Sequence, residues 1–426
     1  MLRNKLVIGI IPTYYFDDTD PYGDNSHFVR MYEDRIKECG AIAVGLLHSN
    51  LNIYNDVVDA YLWPGGSIII KDFYSVFEDV IKNKKPLLGV CLGAQAIATY
   101  FNILEDQKLQ PNLSLLEVYD SNKFDNLYLK RLDGDSLNLH QNIITKDKES
   151  IKKSKHKIKI KENTFMYDIY NNKEIETVSL HSYEIARTPK NIIISAKSKD
   201  GVIEAIEYHE DNNHILGLQF HPEVDNDHKP FIWLIENAYK KYSVLVNKDN
   251  KIKENNFKYI YHDSKYPKAL PDECFLEEQT YYAFISLKEK MREYGFEIDL
   301  ESGFRTHKSQ KQLYDKTLKK EGLNHANKYV AKPYYSEHET GLAVDICCCM
   351  DGKWYIENDD HIKEMYKKLH GIIADYGFIL RYPKGKEEIT GYAYEPWHIR
   401  YVANLKVSKE IMDNSITLEE YLNINK

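Results

Sequence analysis

The sequence has no apolar run long enough to cross a membrane, and its start lacks the features of a secretory signal. Residues 1–12 lead directly into a short strand-like segment, with no long hydrophobic region and no small-residue cleavage site. An excess of positive charge is also missing, since the formal net charge is -8. These absences predict a protein with no membrane span whose main partner is not a nucleic acid.

Cysteine is scarce, with six residues in a chain of 426. Three of them, Cys347, Cys348 and Cys349, are adjacent, which makes a poor framework for disulfide bonds. We therefore expect reduced thiols and a cytoplasmic location. The adjacent cysteines are interpreted as the continuation of an apolar strand over residues 342–346.

The length of the chain exceeds what one hydrophobic core usually serves, so two domains are predicted. Residues 247–256 contain almost no apolar side chains, which is typical of a linker. We assign residues 1–245 to the first domain, 246–256 to the linker and 257–426 to the second domain. The sequence does not indicate an oligomeric state.

The first half alternates short apolar segments with amphipathic ones. This alternation predicts a parallel, doubly wound α/β sheet of the flavodoxin-like type. Functional sites in such sheets lie at the carboxyl ends of the strands. Strands are predicted at residues 6–11, 43–47, 59–63 and 86–90, and helices at residues 30–39 and 73–82.

One predicted strand end carries Cys91 between Gly89 and Gly93. The glycines permit a sharp strand-to-helix turn, and the N-terminus of the following helix favours a thiolate. A buried structural cysteine is the alternative, but glycine on both sides favours a nucleophile. Further along, His221 and Glu223 follow a short strand and supply a general base and a carboxylate that would orient it.

With Pro64-Gly65-Gly66, these motifs resemble the class I glutamine amidotransferases, and within them the gamma-glutamyl-gamma-aminobutyrate hydrolase family. The resemblance spans residues 1–243 and implies a Cys91-His221-Glu223 triad. It further implies hydrolysis of a gamma-glutamyl amide through a thioester on the cysteine.

The resemblance also implies an oxyanion hole formed by backbone N–H groups near Gly66 and Leu92. His181 matches the substrate-side histidine segment of that family only loosely. The chain departs from the family at residues 98–102, where a glycine pair is usual. Substrate preference therefore stays open at this point.

The second half places His338 and Asp345 seven residues apart, with the aspartate inside an apolar run. A buried carboxylate is costly unless it is paired, and histidine and carboxylate together are good zinc ligands. His398 offers a third ligand and Glu395 a spare carboxylate. Three protein ligands leave a position for water, as in catalytic zinc sites. A simple buried His–Asp pair and a non-haem iron site are the alternatives.

Four motifs occur in order over residues 257–404 and resemble the zinc D-alanyl-D-alanine carboxypeptidase family, which includes L,D-carboxypeptidases. The resemblance implies a smaller α+β domain with an antiparallel sheet and a bound Zn²⁺. The motifs are Ser-Gly-Phe-Arg from 302, Ser-Glu-His-Glu-Thr-Gly-Leu-Ala-Val-Asp from 336, Tyr-Gly-Phe from 376 and Glu-Pro-Trp-His from 395.

The resemblance assigns His338, Asp345 and His398 as zinc ligands and Glu395 as the general base on the metal-bound water. It also implies substrate-binding roles for three further residues. Two of them would hold the terminal carboxylate and backbone of a peptide, and the third would bind nearby. These residues are Arg305, Gln310 and Ser336. Glu339 is a departure, since many members of the family have glutamine there.

Three hypotheses follow for function. The first is a bifunctional hydrolase of peptidoglycan stem peptides, because these peptides contain both a gamma-linked glutamyl bond and a terminal D-alanine. In the second, the first half is a glutaminase that supplies ammonia to a partner ligase. In the third, one half is a non-catalytic module that binds peptide for the other. Possible ligands are thus stem peptides or other gamma-glutamyl compounds.

Overall fold

The structure, a computed structural model, describes two compact units. An N-terminal unit comprises Lys5–Ala238, and a C-terminal unit contains Tyr239–Lys426. Four residues of the predicted linker, 253–256, lie outside the described residues, and the predicted domain limits remain predictions. The described ranges are 6–16, 24–47, 57–66, 74–109, 128–141, 148–252, 257–357 and 359–424.

The N-terminal unit alternates strands and helices over its first half. Its strands are β1 (Val7–Ile10), β2 (Thr13–Phe16), β3 (Asp24–His27), β4 (Ile42–Gly45), β5 (Ala60–Trp63), β6 (Leu87–Val90), β7 (Leu129–Arg131), β8 (Lys155–Ile160), β9 (Glu174–Val178), β10 (Tyr183–Ile185), β11 (Ile193–Ser198), β12 (Ile203–Tyr208) and β13 (Ile215–Leu218). Its helices are α1 (Arg30–Glu38), α2 (Ser75–Asn83), α3 (Leu92–Leu109), α4 (Gly134–His140), α5 (Lys148–Lys153), α6 (Phe165–Tyr170) and α7 (Lys229–Tyr239).

A nine-stranded sheet forms the centre of this unit, in the order β4-β1-β5-β6-β13-β12-β11-β8-β9. The pairs from β4 to β13 are parallel, and those from β13 to β9 are antiparallel. Strands β1, β5, β6 and β13 are buried along their whole length, which explains their continuous apolar sequences. The predicted parallel α/β sheet is confirmed, and the antiparallel extension was not predicted.

Aromatic rings fill the space between this sheet and its helices. Trp63 at the end of β5 lies with its ring centroid 5.5 Å from that of Phe77 on α2. Phe77 in turn stacks on Tyr100 of α3, with centroids 4.1 Å apart. Each such pair stabilises the fold by about 0.5–1.5 kcal/mol beyond the contribution from burying its apolar surface. This packing fixes α3, and with it the turn at Cys91, against the parallel strands.

The C-terminal unit is an α+β structure, as predicted. Its strands are β14 (Tyr259–Tyr261), β15 (Phe275–Glu277), β16 (Glu297–Ser302), β17 (Ala343–Met350), β18 (Lys353–Tyr355), β19 (Phe378–Leu380) and β20 (His398–Tyr401). Its helices are α8 (Glu278–Glu293), α9 (His307–Glu321), α10 (Leu323–Tyr329), α11 (Lys363–His370), α12 (Glu387–Thr390), α13 (Leu405–Asp413) and α14 (Leu418–Ile424).

An antiparallel sheet with the order β16-β17-β20-β19 forms the centre of this unit, and β18 pairs with β17. The adjacent cysteines continue β17, as predicted from the sequence. Near the C-terminus, Ile411 and Leu418 are buried against Ile379 and Val402. Among the described residues, no helix has both the length and the apolarity needed to cross a bilayer.

Candidate active sites

Cys91 occupies a strained turn between β6 and α3. Its φ is +50°, a left-handed conformation that is uncommon for a residue with a side chain. Its N–H donates to the carbonyl of Leu218 on the neighbouring strand at 2.6 Å. The flanking glycines are required by close approach: a Cβ on Gly93 would lie 2.1 Å from the carbonyl oxygen of Trp63. The backbone around the cysteine is therefore held rigidly.

His221 and Glu223 lie beside this turn. His221 Nδ1 donates to Glu223 Oε1 at 2.6 Å, and both side chains are buried. A Cβ on Gly65 would be 2.9 Å from His221 Cε1 and 3.4 Å from Cys91 Cβ, which places these two side chains around one point. His221 Nε2 makes no hydrogen bond among the described residues. The three candidate triad members thus come together.

Tyr32 on α1 also belongs to this site, although no motif around it in the sequence indicates this role. Its hydroxyl donates to Glu223 Oε1 at 2.8 Å and accepts from the Gly65 N–H at 3.1 Å. The tyrosine is 1% exposed, so this bond forms away from water. It fixes the carboxylate that in turn fixes His221.

The charges of the site favour a protonated histidine. Burial lowers the pKa of His221, but the negative charges of Glu223 and Cys91 outweigh it and raise that pKa well above its usual value. A protonated imidazole next to the cysteine is the arrangement that stabilises a thiolate.

The two backbone positions predicted for an oxyanion hole lie close together. A Cβ on Gly66 would be 3.1 Å from Leu92 Cδ2. Leu92 is the first residue of α3, where backbone N–H groups have no partner within the helix. Gly66 follows the end of β5. Both positions therefore border the Cys91 turn.

In the C-terminal unit, three residues from separate segments meet inside the fold. His338 lies in a 3₁₀ turn (Glu337–Thr340), Asp345 on β17 and His398 at the start of β20. Asp345 and His398 face each other in the antiparallel register. All three are buried, with exposed fractions of 4%, 7% and 3%.

The donor atoms of these residues fit a metal ion. Asp345 Oδ2 is 3.1 Å from His338 Nε2, and Asp345 Oδ1 is 2.9 Å from His398 Nδ1. Two ligands at about 2.0–2.2 Å from a tetrahedral zinc ion lie roughly 3.3–3.6 Å apart, only a few tenths of an ångström more. His338 Nδ1 donates to the Gly303 carbonyl at 2.7 Å, which leaves Nε2 free as a ligand.

Glu337 lies on the side of His398 that faces away from Asp345, and no motif in the sequence indicated a role for it. Its Oε1 accepts from Arg381 Nε at 2.8 Å and from Arg400 Nη1 at 2.6 Å, and all three side chains are fully buried. Its Oε2 lies 3.6 Å from His398 Nε2. Burial raises the pKa of Glu337, but the two guanidinium charges outweigh it and hold that pKa far below its usual value. The ionised carboxylate therefore faces the rear nitrogen of His398.

Glu395 lies next to this group, immediately before β20. It is buried, and burial, together with the charge of Asp345, raises its pKa to about 8. His398 and Arg305 oppose this shift. A positive ion at the His–Asp–His group would favour the ionised form of Glu395. A carboxylate tuned in this way suits proton transfer near neutral pH.

Of the three predicted substrate-binding residues, Arg305 directly contacts the His–Asp–His group. Its Nη2 donates to Asp345 Oδ2 at 3.0 Å, and its Nε donates to Glu273 Oε2 at 3.1 Å. Gln310 donates to the Ala331 carbonyl at 2.7 Å, and its Oε1 has no hydrogen-bond partner among the described residues.

The third of these residues, Ser336, caps the turn that carries His338. It exchanges hydrogen bonds with Glu339 in a capping box. Glu339, the departure noted in the sequence, is buried and its carboxylate is held by His307 Nδ1. Both residues thus shape the turn that presents His338.

The C-terminal unit is similar in sequence to known carboxypeptidases. Residues 273–404 match the profile of VanY, D-alanyl-D-alanine carboxypeptidase. A bifunctional D-Ala-D-Ala dipeptidase and carboxypeptidase of Enterococcus gallinarum is 43% identical over 131 residues, which cover 29% of this chain and 66% of the relative. A solved vancomycin-resistance D,D-pentapeptidase in complex with Zn(II) is 31% identical, with coverage of 43% of this chain and 99% of that chain, at a TM-score of 0.37.

The N-terminal unit has a different set of relatives. Residues 71–223 match the profile of Peptidase C26. A CTP synthase of Nautilia profundicola is 28% identical over 176 residues, which cover 37% of this chain and 31% of the relative. The chain spans between 47% and 66% of the length of three curated carboxypeptidase relatives. The N-terminal unit is therefore similar to the glutamine amidotransferase-like Peptidase C26 family over residues 71–223, and the C-terminal unit to the VanY D-alanyl-D-alanine carboxypeptidase family over residues 273–404; both are hydrolase families.

Proposed function

We propose that the C-terminal unit is a zinc carboxypeptidase that removes D-alanine from the end of peptidoglycan stem peptides. The observation that carries this proposal is the buried meeting of His338, Asp345 and His398, with their donor atoms 2.9–3.1 Å apart. The match of residues 273–404 to D-alanyl-D-alanine carboxypeptidases supports the same substrate class.

In this proposal the three residues would hold Zn²⁺, which when bound would supply an activated water and polarise the scissile carbonyl. Glu395 would act as the general base that accepts a proton from the attacking water and returns it to the leaving amine. Arg305 uses Nε and Nη2 in bonds to Glu273, Ser302 and Asp345, so Nη1 is available for the terminal carboxylate of the peptide. Gln310 and Ser336 are proposed to line the same peptide site.

The test is release of D-alanine from defined stem tetrapeptides and pentapeptides by the zinc-loaded protein. Release from the pentapeptide alone would identify a D,D-enzyme, and release from the tetrapeptide an L,D-enzyme. His338→Ala should abolish release. His361→Ala is the matched control, because His361 is exposed and its ring contacts Asp359 and Tyr355, neither of which belongs to the His–Asp–His group. Full activity of His338→Ala would refute the proposed centre.

We propose further that the N-terminal unit hydrolyses a gamma-glutamyl amide. His221 Nε2 takes the thiol proton, and the sulfur of Cys91 bonds to the gamma-carbonyl carbon. The imidazolium then protonates the leaving amine as the C–N bond breaks, and water cleaves the thioester. Backbone N–H groups at Gly66 and Leu92 would stabilise the oxyanion. The hydrogen-bonded pair of His221 and Glu223 beside the strained cysteine supports this scheme.

This half is tested with a gamma-D-glutamyl stem tripeptide, gamma-glutamyl-gamma-aminobutyrate and glutamine as separate substrates. Cys91→Ala should stop hydrolysis of whichever substrate is used. Cys39→Ala serves as the control, since Cys39 is partly exposed and lies on no candidate site. If Cys91→Ala hydrolyses these amides at the wild-type rate, the cysteine mechanism is wrong.

A glutaminase that feeds ammonia to a partner ligase is the second candidate for this half. The similarity to CTP synthase favours it. Hydrolysis of glutamine only when a co-purified ligase is present would support this version over the peptide hydrolase. A reducing, cytoplasmic setting is proposed for the protein, and the six free cysteines support it.

A further inference from the structure

A second group of potential metal ligands lies within the N-terminal unit, on the antiparallel side of its sheet. His140 ends α4, His156 is on β8, Glu204 is on β12, and His181 lies just before β10. Their exposed fractions are 0%, 7%, 0% and 4%. We call these four residues the inner histidine cluster. No role in the proposed chemistry uses them as a group.

The three histidines surround one carboxylate. Glu204 Oε1 is 2.9 Å from His156 Nε2, 3.1 Å from His140 Nδ1 and 3.9 Å from His181 Nε2. The first two distances resemble those in the His–Asp–His group of the C-terminal unit. The ligand atoms of His140, His156 and Glu204 all lie within 4.8 Å of one another.

The outer nitrogens of two histidines already have acceptors. His140 Nε2 donates to Asp200 at 3.1 Å, and His181 Nδ1 donates to the Tyr183 carbonyl at 2.9 Å. A neutral imidazole carries a single ring proton, so His140 Nδ1 and His181 Nε2, which face Glu204, present lone pairs to it. A carboxylate or carbonyl on the outer nitrogen is the usual support of a metal-bound histidine.

Buried polar atoms without partners remain in the cluster. Among the described residues, His156 Nδ1, His181 Nε2 and Glu204 Oε2 make no hydrogen bond. Lone pairs that face a carboxylate repel it, so a positive charge has to lie between them. A proton on His140 would supply one such charge. That proton leaves His181 Nε2 and Glu204 Oε2 unsatisfied.

We propose that the inner histidine cluster binds a divalent transition-metal ion of the zinc class. His140 Nδ1, His156 Nε2 and the Glu204 carboxylate form the ligand core, and His181 Nε2 is the fourth ligand. Three imidazoles and one carboxylate suit Zn²⁺ or a similar borderline ion. Because four protein ligands complete a tetrahedral coordination, the site has no open position for a substrate and is structural.

The position of His181 connects this ion to the cysteine site. Tyr183 lies two residues after His181, and its carbonyl accepts a hydrogen bond from Gln95 Nε2 at 3.2 Å. Gln95 lies on α3, one turn after Cys91, and its N–H donates to the Cys91 carbonyl at 3.1 Å. A metal bound to His181 would thus fix the chain beside the turn that carries the candidate nucleophile.

The test is the metal content of the full chain, measured by inductively coupled plasma mass spectrometry after loading with Zn²⁺ and gel filtration. The double variant His338→Ala/His398→Ala removes the proposed carboxypeptidase centre. We expect about two equivalents of zinc in the wild type and about one in this variant. Substitution with Co²⁺ should give the variant the intense visible absorption of a tetrahedral ion.

A loss of metal must be traced to the cluster itself. In the double variant, Glu204→Gln should lower the zinc content at least tenfold. Glu207→Gln is the matched control, because it removes another buried carboxylate from β12 that contacts none of the four cluster residues. Metal content equal in both would overturn the assignment to this cluster.

The double variant His338→Ala/His398→Ala tests the proposal even if Glu204→Gln fails to fold, because the inner histidine cluster is unchanged in the double variant. If it retains no zinc and no cobalt, the cluster is held by protons alone and the proposal is wrong. The comparison is independent of the carboxypeptidase proposal. One equivalent in both the wild type and the double variant would support the inner site and contradict the zinc centre of the C-terminal unit.

Discussion

Glu337 offers a sharp test of how the proposed zinc centre is held in place. Glu337→Gln keeps the shape of the side chain but removes its charge, which pairs with two fully buried guanidinium groups. Removing one partner of a buried ion pair costs about 3–5 kcal/mol. Because glutamine keeps one oxygen as an acceptor and Arg381 also pairs with Glu419, we expect the lower end of this range.

The same change should weaken metal binding. Glu337 Oε2 lies 3.6 Å from His398 Nε2, beyond hydrogen-bond distance, and its negative charge acts on the ring whose Nδ1 faces Asp345. Loss of such a supporting carboxylate typically lowers metal affinity by about 10–100-fold. Zinc affinity is measured by competition with a chelator. Native-state hydrogen exchange of peptides from β17 and β20 reports the stability of this unit alone.

Glu419→Gln separates the two effects. Glu419 pairs with Arg381 at 2.7 Å, and no bond joins it to His398. This variant should lose stability but keep its zinc affinity. If Glu337→Gln binds zinc as tightly as the wild type while its stability falls, Glu337 serves only the ion-pair network, and its proposed effect on His398 is refuted.

Three further predictions follow from single contacts. Tyr32→Phe removes a hydrogen bond to the triad carboxylate Glu223, and such a bond to a charged acceptor contributes about 1.5–3 kcal/mol. We expect this variant to hydrolyse the gamma-glutamyl amide about 10–100-fold more slowly than the wild type. Tyr128→Phe, the control, loses a similar bond to Asp106 and should keep the wild-type rate. Gly93→Ala should unfold the N-terminal unit in thermal denaturation, since its methyl group would meet a backbone carbonyl at 2.1 Å, while Gly371→Ala, with its nearest contact at 3.4 Å, should be tolerated. Burial raises the pKa of Asp299, but hydrogen bonds from a histidine and a lysine outweigh burial and lower that pKa to about 2. The ionised carboxylate therefore stabilises the folded state by about 1–2 kcal/mol after solvent screening. This stabilisation is complete above the pKa of the unfolded chain, near pH 4, and is lost as the pH falls towards 2. Asp299→Asn should flatten this pH dependence in hydrogen exchange, and an unchanged profile would contradict it.

Much of the fold and of the candidate sites could be predicted from the sequence, because the parallel strands and the motifs are recognised from residues adjacent in the chain. The buried strands of the first unit are continuous apolar runs, and the turn at Cys91 is marked by the two glycines that its close packing requires. The positions of His338, Asp345 and His398 were found for the same reason: each lies in a short segment with distinctive neighbours.

Contacts between distant segments could not be predicted in this way. Tyr32 reaches Glu223 across 191 residues, and nothing around it in the sequence marks it. The inner histidine cluster combines four segments, each of which carries an ordinary histidine or glutamate.

The central claim is that one chain carries two separate hydrolase centres for peptidoglycan-derived peptides. Mass spectrometry of the products from defined stem tripeptides, tetrapeptides and pentapeptides tests it most directly, with wild type, Cys91→Ala and His338→Ala compared. We predict that His338→Ala loses only alanine release and that Cys91→Ala loses only cleavage of the gamma-glutamyl bond. Stem peptides that keep their gamma-glutamyl bond in the presence of wild type, while glutamine or gamma-glutamyl amines are hydrolysed, would contradict the shared substrate.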